Sequence, residues 1–153
     1  ISKVSKAMKT SQPAVNALLQ AKMDSAEKKG IAMLVEVATP LKVIPVEPWE
    51  LCKLLANLID NGITALADKE GEKKLTVEMR QDSRSYFFAV RNNGPAIPEE
   101  HQTLIFKQGF STKKEEGHGT GLAIVSQIVK DARGELRLLS DAKETCFEVR
   151  LPR

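Results

Sequence analysis

Four polar residues recur at helical spacing on an otherwise apolar stretch: Asn57, Asp60, Asn61 and Thr64 stand at i, i+3, i+4 and i+7. Leu51, Leu54, Leu55, Leu58 and Ile59 form the greasy face of the same stretch. Two amides and a carboxylate in line are hard oxygen donors, the kind Mg²⁺ takes while keeping waters and phosphate oxygens. A solvated helix face would also explain the stripe, but such faces favour Lys and Glu, and this one has neither. A second group is Gly117-His118-Gly119-Thr120-Gly121-Leu122, followed by apolar residues at Ile124, Val125, Ile128 and Val129. A glycine-rich loop opening a helix offers free backbone amides and the positive end of the dipole, a natural seat for phosphate. No Gly-Lys-Ser/Thr is present, so this is not a Walker loop. The glycine spacing and the preceding Lys113-Lys114-Glu115-Glu116 do not fit a dinucleotide fingerprint either.

Two further segments carry less chemistry alone. Asn92-Asn93-Gly94-Pro95-Ala96-Ile97-Pro98 reads as turn chemistry after a strand, with Gly94 expected to supply a positive φ. Ile105 to Lys113 places Phe106 and Phe110 four apart, beside Lys107, Lys113 and Lys114, which would approach phosphates.

The elements that must position these groups follow from periodicity and punctuation. Pro13 starts a helix whose sparse stripe is Val15, Leu18, Leu19, Met23 and Ala26, and Gly30 stops it. So narrow a stripe favours packing against neighbouring helices in a bundle; the alternative is a helix lying on its own domain. Ile31 to Val37 alternate as a strand expected to be partly buried on both faces. Pro48 opens the helix that carries Asn57 and Asn61. Strands are predicted at 75–81 and 86–92 around Asp82-Ser83-Arg84, and at 135–140 and 145–151 around Asp141-Ala142-Lys143. Between them lie an irregular stretch over 93–118, with a short helix near 99–106, and a helix from Gly119 to about Gly134. Helices alternating with hairpins argue a two-layer α/β sandwich, a mixed, mostly antiparallel sheet with helices on one face.

Composition narrows the partners. The chain has 153 residues, 42% hydrophobic and 28% charged, with a net charge of +3. That suits one globular domain. Its apolar runs reach about five residues, against the roughly 20 of a membrane span, so no membrane contact by this stretch is expected. Basic and acidic residues are mixed and do not interleave with aromatics, so no nucleic-acid surface is expected. Cys52 and Cys146 lie far apart in apolar stretches and read as buried free thiols in a reducing compartment. The chain opens on Ile1, within a helical pattern, and reads as a piece of a longer protein.

In this order and spacing, the four segments resemble the ATP-binding catalytic domain of sensor histidine kinases, of the wider superfamily with gyrase, Hsp90 and MutL ATPase domains (the Bergerat fold). Leu54 to Asn61 is similar to the family's N box, Asn92 to Ile97 to its first glycine box, Phe106 to Phe110 to its F box, and Gly117 to Leu122 to its second glycine box. The N box and the Gly-Phe-Ser-Thr-Lys stretch look most like the citrate and C4-dicarboxylate sensors. The resemblance covers residues 31–153, and residues 1–30 look like the last helix of the preceding dimerisation and phosphotransfer domain.

The resemblance implies a kinase that binds Mg-ATP and passes the γ-phosphoryl group to a histidine upstream of Ile1. It implies a response regulator as partner, a homodimer in the full-length protein, and a cytoplasmic location beside a possible membrane anchor. It implies that Asn61 ligates Mg²⁺ and that Asn57 stands where the ATPases carry a water-activating Glu. It implies further nucleotide contacts from Asn92, Gly94, Ala96, Ile97, Phe110, Thr112, Lys113, Gly117, His118, Gly119, Thr120, Gly121 and Leu122, with residues 98–117 as a lid.

Three positions depart from the family pattern. Asn92 stands where an Asp accepts from the adenine amino group; its carbonyl would accept instead, about half as strongly. Ala96 replaces a glycine and would crowd the base if that position needs positive φ. Thr64 replaces a basic residue. A degenerate relative that keeps the fold and binds no ATP is therefore the alternative. Of the two histidines, His101 is expected to be exposed and His118 to lie in the glycine loop, and neither sits in a phosphoacceptor context.

Overall fold

The structure is a computed structural model that describes residues 10–102 and 118–153, the side chains of 118–120 excepted. Proline, glycine and short polar side chains set the element boundaries. Pro13 occupies the first turn of α1 (Pro13–Lys28), and Gly30 follows its end at φ +72°. After β1 (Ile31–Val37), Glu47 and Glu50 form a capping box around Pro48 at the start of α2 (Pro48–Leu66). The β2–β3 hairpin (Lys73–Gln81 and Ser85–Asn92) turns on Asp82, whose Oδ1 accepts from the Arg84 and Ser85 amides, each at 2.8 Å. Asp141 does the same for Lys143 and Glu144 between β4 (Glu135–Ser140) and β5 (Thr145–Pro152). The short α3 (Glu99–Gln102) and α4 (His118–Asp131) stand between the two hairpins.

The five strands form one sheet in the order β1-β2-β3-β5-β4. The β1–β2 pair, joined through α2, is parallel, and every other pair is antiparallel. Helices cover one face, so the two-layer sandwich is the observed architecture. The core lies between that face and α1, α2 and α4. Val35, Leu54, Leu58, Val77, Phe88, Val125 and Val149 are all fully buried there.

Two expectations change. β1 is buried on one face alone: Ile31, Met33, Val35 and Val37 face the core, while Leu34 is 48% exposed. The open face carries the register row Leu34, Thr76, Arg91, Cys146 and Leu139. Arg91 of this row pairs with Glu78 of the next (3.4 Å), and flanking rows hold the ion pairs Arg80–Glu148 (3.8 Å) and Arg150–Glu135 (2.6 Å), so no second helical layer is needed on that side. The second change concerns α1. Its stripe takes the other of its two possible packings: Val15, Leu19, Met23 and Ala26 are buried in the same core as α2 and β1.

Candidate functional site

The four-residue stripe on α2 becomes one wall of a cavity of about 940 Å³. Helical geometry places Asn57, Asn61 and Thr64 on that wall. Gly62, one step around the helix, faces the sheet. A Cβ there would lie 2.6 Å from Leu75 Cδ1, so the missing side chain lets α2 sit close to β2 and to Asn92. Asp60 is exposed, and its carboxylate pairs with Lys22 of α1 at 2.7 Å. Ser25 of α1 and Lys29, the residue just past its end, also line the cavity.

The second wall is the loop after β3. Asn92 ends that strand and is 4% exposed. Its Oδ1 accepts from the Gly94 amide at 2.9 Å, so the carbonyl expected to face a base is held by the chain itself. Gly94 does not have positive φ. Glycine is needed there for space: a Cβ would lie 2.9 Å from Asn92 Oδ1 and 3.1 Å from the Ala65 carbonyl oxygen. Ala96 also avoids positive φ and lines the cavity, so its methyl group causes no backbone strain. The Ile97 amide donates to Ser140 Oγ at 2.9 Å, which ties this loop to β4. Asn93 closes the β2 end of the turn, accepting from the Lys74 amide and donating to the Glu72 carbonyl.

The third wall is the first turn of α4. Gly121 and Leu122 line the cavity. A Cβ on Gly121 would meet Asn57 Oδ1 at 2.9 Å, so the bare glycine seats the helix start directly on the Asn57 amide. That amide is oriented by its own donation to the Lys53 carbonyl at 2.8 Å. His118, Gly119 and Thr120 begin α4, which brings its N-terminal turn to the cavity. Phe110, Thr112, Lys113 and Gly117 lie outside the described residues, as do the lysines Lys107 and Lys114 and most of the expected lid.

His101 differs from its expectation. It is half-buried and lines the cavity rather than pointing to solvent. Thr145 was not anticipated at all. It lies directly opposite Asn92 in the β3–β5 register, is 2% exposed, lines the cavity and shares a 2.7 Å hydrogen bond with Ser140. No spacing rule links residues so far apart, so only strand pairing reveals it. Gly62 did leave a signal, since glycine inside a strong helix costs about 1 kcal/mol and implies a packing reason.

Both cysteines are free; Cys146 is buried and Cys52 is half-buried. Burial pushes both thiols up. Arg91 acts against that rise at Cys146. Neither cysteine lines the cavity. Among the described residues there is no group of three His, Cys, Asp or Glu able to hold a metal. The oxygen donors of α2 that line the cavity and could meet a hard cation are the side chains of Asn57, Asp60 and Asn61.

The family described as histidine kinase-, DNA gyrase B- and HSP90-like ATPase matches residues 47–153. Among curated relatives, the chain is 29% identical over 150 residues to sensor protein CitS of Halalkalibacterium halodurans, covering 95% of this chain and 28% of that protein. It is also 29% identical over 140 residues to a probable C4-dicarboxylate sensor kinase of the same organism, covering 89% of this chain and 26% of that one. The chain thus spans about a quarter of the length of these relatives. Among solved structures, the catalytic domain of histidine kinase ThkA superposes with a TM-score of 0.78 at 23% identity, covering 91% of each chain. The profile match over 47–153 takes in α2, the loop after β3 and the start of α4, the same three walls that enclose the cavity, and the chain belongs to the family of histidine kinase-, DNA gyrase B- and HSP90-like ATPases.

Proposed function

We propose that this chain is the nucleotide-binding, phosphoryl-donating part of a sensor histidine kinase in a two-component system. One observation carries the reading: Asn57, Asn61, Asn92, Gly94 and Gly121, from three separated segments, line a single cavity. Its size suits a nucleotide-sized ligand. In this reading the nucleotide is ATP, held with Mg²⁺ through Asn61, and the first turn of α4 faces the phosphates. Phosphoryl transfer needs mainly positioning and charge neutralisation. An amide takes no proton from water near neutral pH, so Asn57 supplies no general base for hydrolysis. That favours transfer to a side chain over loss of ATP to water.

The acceptor would be a histidine in another part of the protein, and the phosphoryl group would pass on to a response regulator. Dimerisation would reside in the segment that continues into α1, with residues 1–30 as its end. A cytoplasmic location would give access to ATP. No helix among the described residues is long and apolar enough to cross a membrane.

The test is the thermal midpoint of the chain with Mg²⁺ alone, nucleotide alone, and both, for the native chain and Asn61→Ala. Ligand at a hundredfold its dissociation constant stabilises by about 2.7 kcal/mol. The expected result is a shift needing both metal and nucleotide that shrinks in Asn61→Ala. No shift at millimolar nucleotide would sink the proposal.

A further inference from the structure

The core face of the sheet changes character toward the cavity. Two of its register rows are apolar, Leu136–Val149–Phe88 and Leu138–Phe147–Val90. The next row on the same face is polar throughout: Ser140, Thr145 and Asn92. Thr145 and Asn92 line the cavity and are 2% and 4% exposed, whereas Ser140, on the edge strand β4, does not line it. Its hydroxyl nevertheless holds two of the walls. Oγ accepts from the Ile97 amide at 2.9 Å and lies 2.7 Å from Thr145 Oγ1. Ile97 lines the cavity in the loop after β3, and its carbonyl accepts from Gln102 of α3 at 3.0 Å. A serine hydroxyl has one hydrogen and two lone pairs, so Ser140 can accept from Ile97 and still bond Thr145. Either sense of that second bond fixes where the Thr145 hydroxyl hydrogen points.

We propose that Ser140 is a positioning residue for nucleotide binding, holding the loop after β3 and the Thr145 hydroxyl in the arrangement the ligand meets. The inference rests on the nucleotide-binding reading above. A leucine here would continue the pattern of Leu136 and Leu138 and bury more apolar surface, so the serine is explained by what it holds rather than by the core. Without the hydroxyl, the Ile97 N–H loses its acceptor and the loop loses that tie to β4. Thr145 loses its partner, and its own hydroxyl is free to turn. Binding must then order both walls, a cost that the native chain has already met in folding.

The decisive measurement is a double-mutant cycle in the dissociation constant for Mg-ADP. Titration calorimetry compares the native chain, Ser140→Ala, Thr145→Val and the pair, at a temperature where circular dichroism shows all four folded. The expected result is that Ser140→Ala binds about fivefold more weakly, the scale of one hydrogen bond, and costs less in the Thr145→Val background. A serine that only stabilises the fold would lower the urea midpoint and leave the affinity of the folded chain unmoved. That outcome overturns the inference, as does an equal loss in both backgrounds, and either leaves nucleotide binding standing. If the native chain binds no Mg-ADP at millimolar concentration, the proposed function fails and this inference with it. Should Ser140→Ala not fold, the same cycle with Ser140→Cys, close in shape but a weak hydrogen-bonding group, decides.

Discussion

At the scale of single residues, the cavity depends on side chains that are absent as much as on those present. Gly62, Gly94 and Gly121 each hold a place where a Cβ would lie 2.9 Å or less from a neighbouring atom: Leu75 Cδ1, Asn92 Oδ1 and Asn57 Oδ1 respectively. Gly62→Ala is therefore expected to lower the thermal midpoint. Overpacking against Leu75 costs about 1–3 kcal/mol, more than the roughly 1 kcal/mol gained in helix propensity. Combining it with Leu75→Ala should cost less than the two changes summed, because the second opens the space the first fills. A double-mutant cycle in urea measures this directly. Asp82 belongs to the same scale. Its carboxyl is held below its ordinary 3.8 by the Arg84 and Ser85 amides. A depressed carboxyl stabilises the fold above its unfolded pKa and loses that contribution as pH falls through the folded value. Asp82→Ala should thus be less stable than the native chain near neutral pH. The gap in urea midpoint should narrow below pH 3.8.

At the scale of elements, α1 and α2 together decide how the cavity is walled. α2 is amphipathic with two uses for its polar side: Asn57, Asp60, Asn61 and Thr64 line the cavity, and Asp60 also reaches α1. The Lys22–Asp60 pair, with side chains 23% and 55% exposed, adds at most about 1 kcal/mol. Docking of α1 therefore rests on its apolar stripe, in which Leu19 is 2% exposed. Leu19→Ala should cost about 2–5 kcal/mol. It should also weaken nucleotide binding, since Ser25 on the same helix and Lys29 at its end line the cavity. Calorimetric titration of that variant, at a temperature where circular dichroism shows it folded, checks the second effect. Unchanged affinity would mean that the α1 wall contributes nothing to the ligand.

At the scale of the whole molecule, one core cluster runs from Val15 on α1 through the sheet to Leu151 on β5. A single cluster predicts one cooperative unfolding transition in which α1 does not melt early. Far-UV circular dichroism should show that transition. Trp49 is 59% exposed at the start of α2, so its emission maximum should shift little across the same range. A separate early loss of helical signal would show that α1 detaches before the rest.

Local rules made most of this architecture legible. Pro13, Gly30, Pro48 and the two aspartate-led turns mark element ends through backbone chemistry that needs no distant partner. The alternation in β2 and the 3.6-residue stripe on α2 reveal which faces are buried. The polar stripe of α2 was legible for a similar reason: Asn57 and Asn61 share a helix face by spacing alone, and both line the cavity. Packing and pairing decided what remained. Whether the narrow stripe of α1 met a bundle or its own domain turned on where α2 and β1 stood. Thr145 reached the cavity only because β5 pairs with β3 in a register that sets it against Asn92. Gly94 proved necessary for the room it leaves beside Asn92 and Ala65, and the direction of the Asn92 amide came from the Gly94 N–H beside it. Residue type and spacing determine which groups a chain can offer. Which way a buried amide faces, and which strand lies beside it, follows from sterics and hydrogen bonds that exist only once the tertiary contacts have formed.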